Sequence, residues 1–400
     1  MALPTVFVSR DTRVQRGATM YPRSSGVHCG IVSGLHSSFG RPPSVVTDGS
    51  SLASAVFACT ALMAWTRRVS TAATKAREKR RVACRVARVY IDGNEGTTGL
   101  DLRDRLERHP GIELMSLDAH ETSQKDRLDA LCSADAAVLC LPDAAAIETA
   151  NYIDSVGADT VLLDASTAHR VASGWAYGFP ELTSGHARRI AASKRVSNPG
   201  CYSTGFISLI RPLVERGVLS PAASVTVHAI SGYSGGGKGL ISTYEDGPHE
   251  PWGAYGFSLG HGHLAEMTRW TGLTREPLFC PCVGDFPRGA VISVPLRTLQ
   301  LQPGKSAVDV HRALEEHYAG QRFVSVAPLN PADCLDGVGF LRPDAANETN
   351  RLELFCFSND SKGTLWLLAR MDNLGKGASG ACVQNLNLTL GFPESMGLDE

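Results

Sequence analysis

Apolar residues along this chain recur at two spacings, and between position 86 and about position 200 the two alternate. Val86-Ala87-Arg88-Val89-Tyr90-Ile91-Asp92 reads as a strand, and Leu100 to His109 carries its apolar positions at helical spacing. Ile112 to Leu117 and Ala134 to Leu141 read as further strands, Ala144 to Val156 as a helix, and Thr160 to Leu163 as a strand again. Strands and helices alternating at these lengths predict an α/β fold built on a doubly wound parallel sheet, with ligands beyond the carboxyl ends of the strands. The pattern then changes. Phe206 to Val214 has helical spacing, Ser224 to Ile230 alternates, and Ala290 to Leu299, Leu352 to Phe357 and Thr364 to Arg370 read as strands. With an amphipathic helix over Ser306 to Tyr318, they predict an α+β part whose mixed sheet packs subunits together. A last helix, Ala381 to Leu390, follows a run of small residues.

Residues 1–85 hold no persistent period. They are rich in Arg, Ser, Thr, Ala, Gly and Pro, and carry thirteen Lys and Arg against three Asp and Glu, a net of +10. The chain as a whole carries −1, so the remainder carries −11. A basic, acid-poor leader before a mildly acidic body is the composition of an organelle transit peptide, with the plastid stroma the first expectation and the mitochondrion the second. Leu52 to Trp65 is apolar but only fourteen residues long, short for a membrane span and suited to the signal-type core of a two-part leader. No stable membrane association of the mature protein and no nucleic-acid partner are expected. Eleven scattered cysteines, an odd number, fit a reducing compartment and free thiols.

Chemistry concentrates in a few stretches. Gly93-Asn94-Glu95-Gly96-Thr97-Thr98-Gly99 lies between the first strand and its helix, where the backbone approaches a dinucleotide pyrophosphate and helix N–H groups face it, as in Rossmann-like domains. The spacing is G-x-x-G-x-x-G, so the setting carries more weight than the pattern. Asp118 after the second strand suits the ribose hydroxyls of NAD and opposes the extra phosphate of NADP, which His120, Lys125 or Arg127 could neutralise. Asp164 to Arg170 closes a strand, so Arg170 lands near the cleft with the donor fork for a phosphate or carboxylate, a solvated surface arginine being the alternative. Ser197-Asn198-Pro199-Gly200-Cys201-Tyr202 is a tight turn feeding a helix. A thiol at such a helix start has its pKa lowered, whereas a structural cysteine is buried and inert; both readings stay open for Cys201. Ser231 to Gly239 nearly spells a P-loop, but Gly239 stands where a Mg²⁺-binding hydroxyl belongs. A mobile N–H-rich loop is expected instead, with Lys238 as partner for an anionic substrate. In His261-Gly262-His263-Leu264-Ala265-Glu266, a helix from Leu264 would put Glu266 one turn from His263, able to orient its ring. The two histidines with Cys280-Pro281-Cys282 could make a zinc site, but one intervening proline is a poor bite for zinc, and no metal is expected.

The run SNPGCY, with the H-x-H-x-x-E spacing, resembles N-acetyl-gamma-glutamyl-phosphate reductases of arginine biosynthesis, especially their shorter-chain branch, over about residues 86–393. These enzymes share a fold plan with aspartate-semialdehyde dehydrogenases. The resemblance implies a Rossmann-like NAD(P)-binding domain over 86–199 and 371–400. It also implies a catalytic and oligomerisation domain of the glyceraldehyde-phosphate-dehydrogenase type over 200–370, with 1–85 as leader. It implies a nucleophilic Cys201, His263 as acid/base and Glu266 beside it. NADP, with NAD the lesser expectation, would lie on Gly93, Asn94, Gly96, Thr97, Thr98, Gly99 and Asn373. An acyl-phosphate substrate would lie near Ser166, Arg170, Asn198 and Lys238. The assembly implied is a homodimer or homotetramer. Tyr177-Gly178-Phe179-Pro180-Glu181-Leu182 matches another stretch of the family, with no role that spacing assigns. An aspartate-semialdehyde dehydrogenase, a non-catalytic dinucleotide sensor and a zinc-dependent regulator are the rival readings.

Overall fold

The computed structural model describes residues 86–93, 96–116 and 123–399. The leader, Asn94, Asp118 and His120 lie outside them. The described residues all fall in one compact unit.

Six strands form a wholly parallel sheet in the order β2-β1-β3-β4-β6-β5. They are β1 (Ala87–Asp92), β2 (Ile112–Met115), β3 (Ala136–Leu139), β4 (Val161–Asp164), β5 (Ala176–Tyr177) and β6 (Arg195–Ser197). Chain order reverses direction across β1 and β3, which is where ligands bind in such sheets. The strands are short, and the central β3 is wholly apolar: Ala136, Ala137, Val138 and Leu139 are all buried, as a sheet covered on both faces requires. Helices Thr97–Glu107, Gln124–Ser133 and Asp143–Val156 supply the crossovers. The helix Gln124–Ser133 was not legible as a period; a Ser123–Asp126 capping box starts it instead.

The second sheet has seven strands in the order β11-β12-β13-β10-β7-β9-β8 and is mixed. Its centre is long: β10 (Ala290–Arg297) pairs with β13 (Thr364–Met371) over eight residues, and β12 (Leu352–Asn359) pairs with β13 over eight more. β7 (Thr226–Gly232) joins β10 to β9 (Leu278–Gly284), and short β8 (Trp252–Ala254) and β11 (Val324–Val326) close the edges. The helix Cys201–Glu215 lies on this sheet and buries Phe206, Ile207, Leu209, Ile210 and Leu213 in the larger core. After β13 the chain returns. Helix Gly380–Leu390 buries Cys382, Val383 and Leu386 among Val89, Leu102, Val138 and Val196 of the first sheet's core.

One expectation needs correction. The stretch Ser231 to Gly239 is not a mobile loop: Tyr233–Gly236 makes a 3₁₀ turn, and a helix runs over Gly237–Glu245. Leu240 packs back over Gly236 and holds the turn closed. The ion pair of Asp101 with Arg105, one helical turn apart, is buried. Asp101 is about 10% exposed and takes Arg105 at 2.8 Å and Arg288 at 2.5 Å, with Ser379 also donating to it. It ties the first helix to the returning segment.

Candidate active site

A cavity of about 780 Å³ opens between the carboxyl ends of the parallel strands and the second sheet. Its walls carry Gly96 to Gly99, Ser166, Arg170, Asn198, Cys201, His261, His263 and Asn373, together with Gly377 and Ala378. Residues from six separate stretches therefore converge on one space, as the strand-end rule predicts.

Cys201 is the first residue of its helix, with Gly200 as N-cap and no side chain capping the turn. The N–H groups of Tyr202 and of Cys201 itself face the sulfur. Burial nevertheless outweighs them and Arg170, and pushes the thiol up to about 11. The lowering expected of a helix N-terminus is thus reversed in the free protein, because desolvation of the thiolate is the larger effect. His263 lies against the same turn. Its Nε2 is so close to Gly200 that a Cβ there would sit 2.3 Å away. Burial pulls its imidazole down to about 3, so it is neutral, and Nδ1 has no partner among the described residues. The resting pair is a neutral thiol and a neutral base.

Glu266 does not hold the His263 ring by a hydrogen bond; the two approach only to 4.0 Å. Its carboxylate accepts from Arg170 Nη1 at 2.7 Å, from Tyr177 Oη at 2.7 Å and from the Gly200 N–H at 3.3 Å. Burial raises its pKa, but the Arg170 charge and those donors outweigh it and hold the carboxyl below its ordinary value. Glu266 therefore clamps the turn that carries Cys201. Arg170 is correspondingly committed. Besides Glu266, it donates to the Asn198 carbonyl at 3.0 Å and the Ala165 carbonyl at 3.3 Å, leaving part of its fork towards the cavity it lines.

Ser166 spends its hydroxyl on Asp164, at 2.8 Å. Asn198 donates to the Ala378 carbonyl at 2.9 Å and accepts from Asn385. Asn373 accepts from the Gly289 N–H at 2.8 Å and donates to Ser234 at 3.0 Å, which fixes the turn after β7 to the returning segment. Lys238 is misplaced by the sequence reading. It is exposed and lines a neighbouring hollow with Asp101, Asp104, Glu245, Asp246 and Arg288, not the cavity. Its helix presents it to that acidic surface.

For a dinucleotide, the fit is local. The helix Thr97–Glu107 begins at Gly96 with no side-chain cap, and Thr97 Oγ1 is buried without a partner among the described residues. Both features face the cavity and suit a pyrophosphate. Gly93 turns the chain out of β1 at φ +85°. Of the cations considered for a 2′-phosphate, Arg127 is spent on Asp92 at 2.6 Å and on Thr149, and Lys125 is largely exposed. Among the described residues no three His, Cys, Asp or Glu side chains group as a metal shell, and Cys280 and Cys282 sit on β9 instead.

Sequence reasoning missed Tyr177, which anchors Glu266, and Lys376, fully buried on Glu181. A lysine between two glycines in a return segment of small residues was the available signal for the second.

Comparison with known proteins agrees with this layout. Residues 201–373 match a family model described as the semialdehyde dehydrogenase dimerisation domain. The chain is 46% identical over 321 residues to N-acetyl-gamma-glutamyl-phosphate reductase 2 of a Nostoc species, covering 78% of this chain and 99% of that protein. It is 45% identical over 307 residues to the enzyme of that name from Burkholderia lata, covering 76% of this chain and 96% of the other. Among solved structures, aspartate semialdehyde dehydrogenase II of Vibrio cholerae superposes with a TM-score of 0.57 at 14% identity, over 76% of this chain and 98% of that one. The Candida albicans enzyme, solved with NADP, gives 0.53 at 16% identity over the same shares. At such identities the likeness is one of fold.

Proposed function

The chain belongs to the N-acetyl-gamma-glutamyl-phosphate reductase family, and from that membership we propose that it reduces N-acetyl-glutamyl 5-phosphate to the 5-semialdehyde with release of phosphate, through a thioester on Cys201. The observation that carries the mechanism is the meeting of Cys201, His263 and the uncapped Gly96–Gly99 turn on one cavity.

As Cys201 Sγ attacks the acyl carbon, its proton passes to the neutral His263; the bond from that carbon to the phosphate oxygen breaks and phosphate leaves with the electron pair. A carboxylate without that leaving group would resist attack. The N–H groups at the helix start offer donors to the oxyanion. A nicotinamide cofactor, when bound, supplies the hydride that reduces the thioester carbon. The resulting alkoxide collapses, the carbon–sulfur bond breaks, and His263 returns its proton to sulfur as the aldehyde leaves. Arg170, its charge already balanced by Glu266, contributes N–H donors towards the acyl phosphate. Glu266 acts through Arg170 and the Gly200 turn.

NADPH is the proposed reductant. The NADP-bound fold relative supports it, and Asp118 speaks for NAD. The dimerisation-domain match supports a homodimer or homotetramer. The basic, acid-poor composition of residues 1–85 supports delivery to a plastid.

The test is phosphate-dependent oxidation of N-acetylglutamate semialdehyde, run with NADP and with NAD, against aspartate semialdehyde. Turnover of the N-acetylated compound is expected, abolished in Cys201→Ser. Preference for aspartate semialdehyde would overturn the substrate, and activity in Cys201→Ser would overturn the mechanism.

A further inference from the structure

One buried ion pair takes part in no step above. Lys376 and Glu181 are each about 1% exposed, 195 residues apart, and joined at 2.7 and 2.9 Å. Lys376 gives its third donor to Gln384 Oε1, so every N–H of the ammonium is used. Gln384 in turn donates to Glu181 at 3.0 Å. The ammonium also lies 5.5 Å from the Phe179 ring centre and 5.6 Å from that of Phe323.

We propose that Lys376 and Glu181 are positioning residues for the Cys201 thiol, acting through Gly377. Lys376 sits in a single π-helical turn, Gly375–Ser379, a geometry that places backbone where a regular helix would not. The next residue, Gly377, forms the wall behind the nucleophile: a Cβ on it would lie 2.8 Å from Cys201 Cβ. One residue further, the Ala378 carbonyl accepts from Asn198 in the turn before Cys201. Three directional bonds on the Lys376 side chain thus fix the backbone that lies against Cys201 Cβ. The other end of the pair is equally placed. Glu181 belongs to the short stretch that also carries Tyr177, whose hydroxyl holds Glu266 and so the Gly200 turn. Residues 177–181 therefore brace Cys201 from two sides, one through Glu266 and one through Lys376. A buried pair adds little net stability against apolar residues of the same volume, so its effect here is on position.

The proposal rests on Cys201 being the nucleophile, and its test reads the thiol directly. The variants are E181L/K376M, which removes both charges together, and G377A, which leaves the pair intact. Each is melted, assayed for kcat and KM, and alkylated with iodoacetamide across pH, with Cys201 followed by mass spectrometry. For E181L/K376M, folding close to wild type is expected, with kcat down about tenfold, KM for nucleotide little changed, and alkylation about fivefold faster as the wall loosens. For G377A, alkylation about fivefold slower is expected, because the added methyl crowds Cys201 at its Cβ. Wild-type alkylation profiles and kcat in the folded double variant would overturn the proposal; if that variant does not fold, wild-type values in G377A would do so. Turnover surviving in Cys201→Ser would sink the nucleophile reading itself, whereas unchanged variants sink only the positioning.

Discussion

A methyl group on Gly200 would lie 2.3 Å from His263 Nε2 and 2.6 Å from Arg170 Nη1. Neither neighbour is the free end of a loose chain: Arg170 is fixed by three bonds, and the backbone N–H of His263 donates to His261 Nδ1. Gly200→Ala should therefore displace the base or the clamp. We expect kcat to fall about 10²-fold, as a shift near 1 Å does, with a stability loss of about 1–3 kcal/mol in urea unfolding. The thiol beside it makes a second test. Its pKa is raised from 9.0 to about 11, so the folded protein keeps a proton that the unfolded chain releases. The stability linked to that proton is full below pH 9 and lost as pH rises through 11. Alkylation of Cys201 in the nucleotide-free protein should accordingly stay slow at neutral pH and rise with a midpoint near 11. A midpoint near 7 would mean that the helix N-terminus outweighs burial after all.

The helix Cys201–Glu215 carries Pro212 in its interior, and proline cannot donate to the carbonyl four residues back. That carbonyl, Ser208 O, is not orphaned. Tyr318, the last residue of the helix Ala307–Tyr318, donates its hydroxyl to it at 2.9 Å. The helix that presents Cys201 is thus completed by another, 110 positions away. Tyr318→Phe leaves a buried carbonyl without a donor and should cost about 1–3 kcal/mol in chemical denaturation. Its kcat should hold, because the carbonyl it caps, Ser208 O, lies well along the helix from Cys201. A large kcat loss at unchanged stability would show that helix strain is transmitted to the thiol.

At the scale of the molecule, the last helix belongs to the first sheet. Cys382, Val383 and Leu386 are fully buried there, at about 1.5–3 kcal/mol for each large apolar side chain. For Val383 and Leu386 alone that comes to about 3–6 kcal/mol, comparable to the lower end of an ordinary domain's stability, about 5–15 kcal/mol. Deleting residues 380–400 should therefore abolish cooperative unfolding and nucleotide binding together, with exposed apolar surface detected by dye binding. A truncated chain that still melts cooperatively and binds nucleotide would show that the parallel sheet closes its own core.

By itself the order of residues determined what depends on near neighbours. Period and turn chemistry marked the strands and, apart from Gln124–Ser133, the helices from Val86 to Asp164, the turn and helix at Cys201, and the helix that follows His263, because each signal spans about a dozen residues. The short edge strands at 252, 324 and 176, and the helix over Gly237–Glu245, left no such period, since their neighbours in space define them. The charge state of the site belongs wholly to the tertiary structure. A helix N-terminus argues for an ionised sulfur, and only the packing around it shows burial to be stronger. Likewise Glu266 stands three residues from His263 in the chain, yet its carboxylate is taken by Arg170, 96 residues off, and Tyr177, 89 residues off. Side chains bond to what the fold brings near, and desolvation depends on everything around a group, so no local window of the sequence contains either answer.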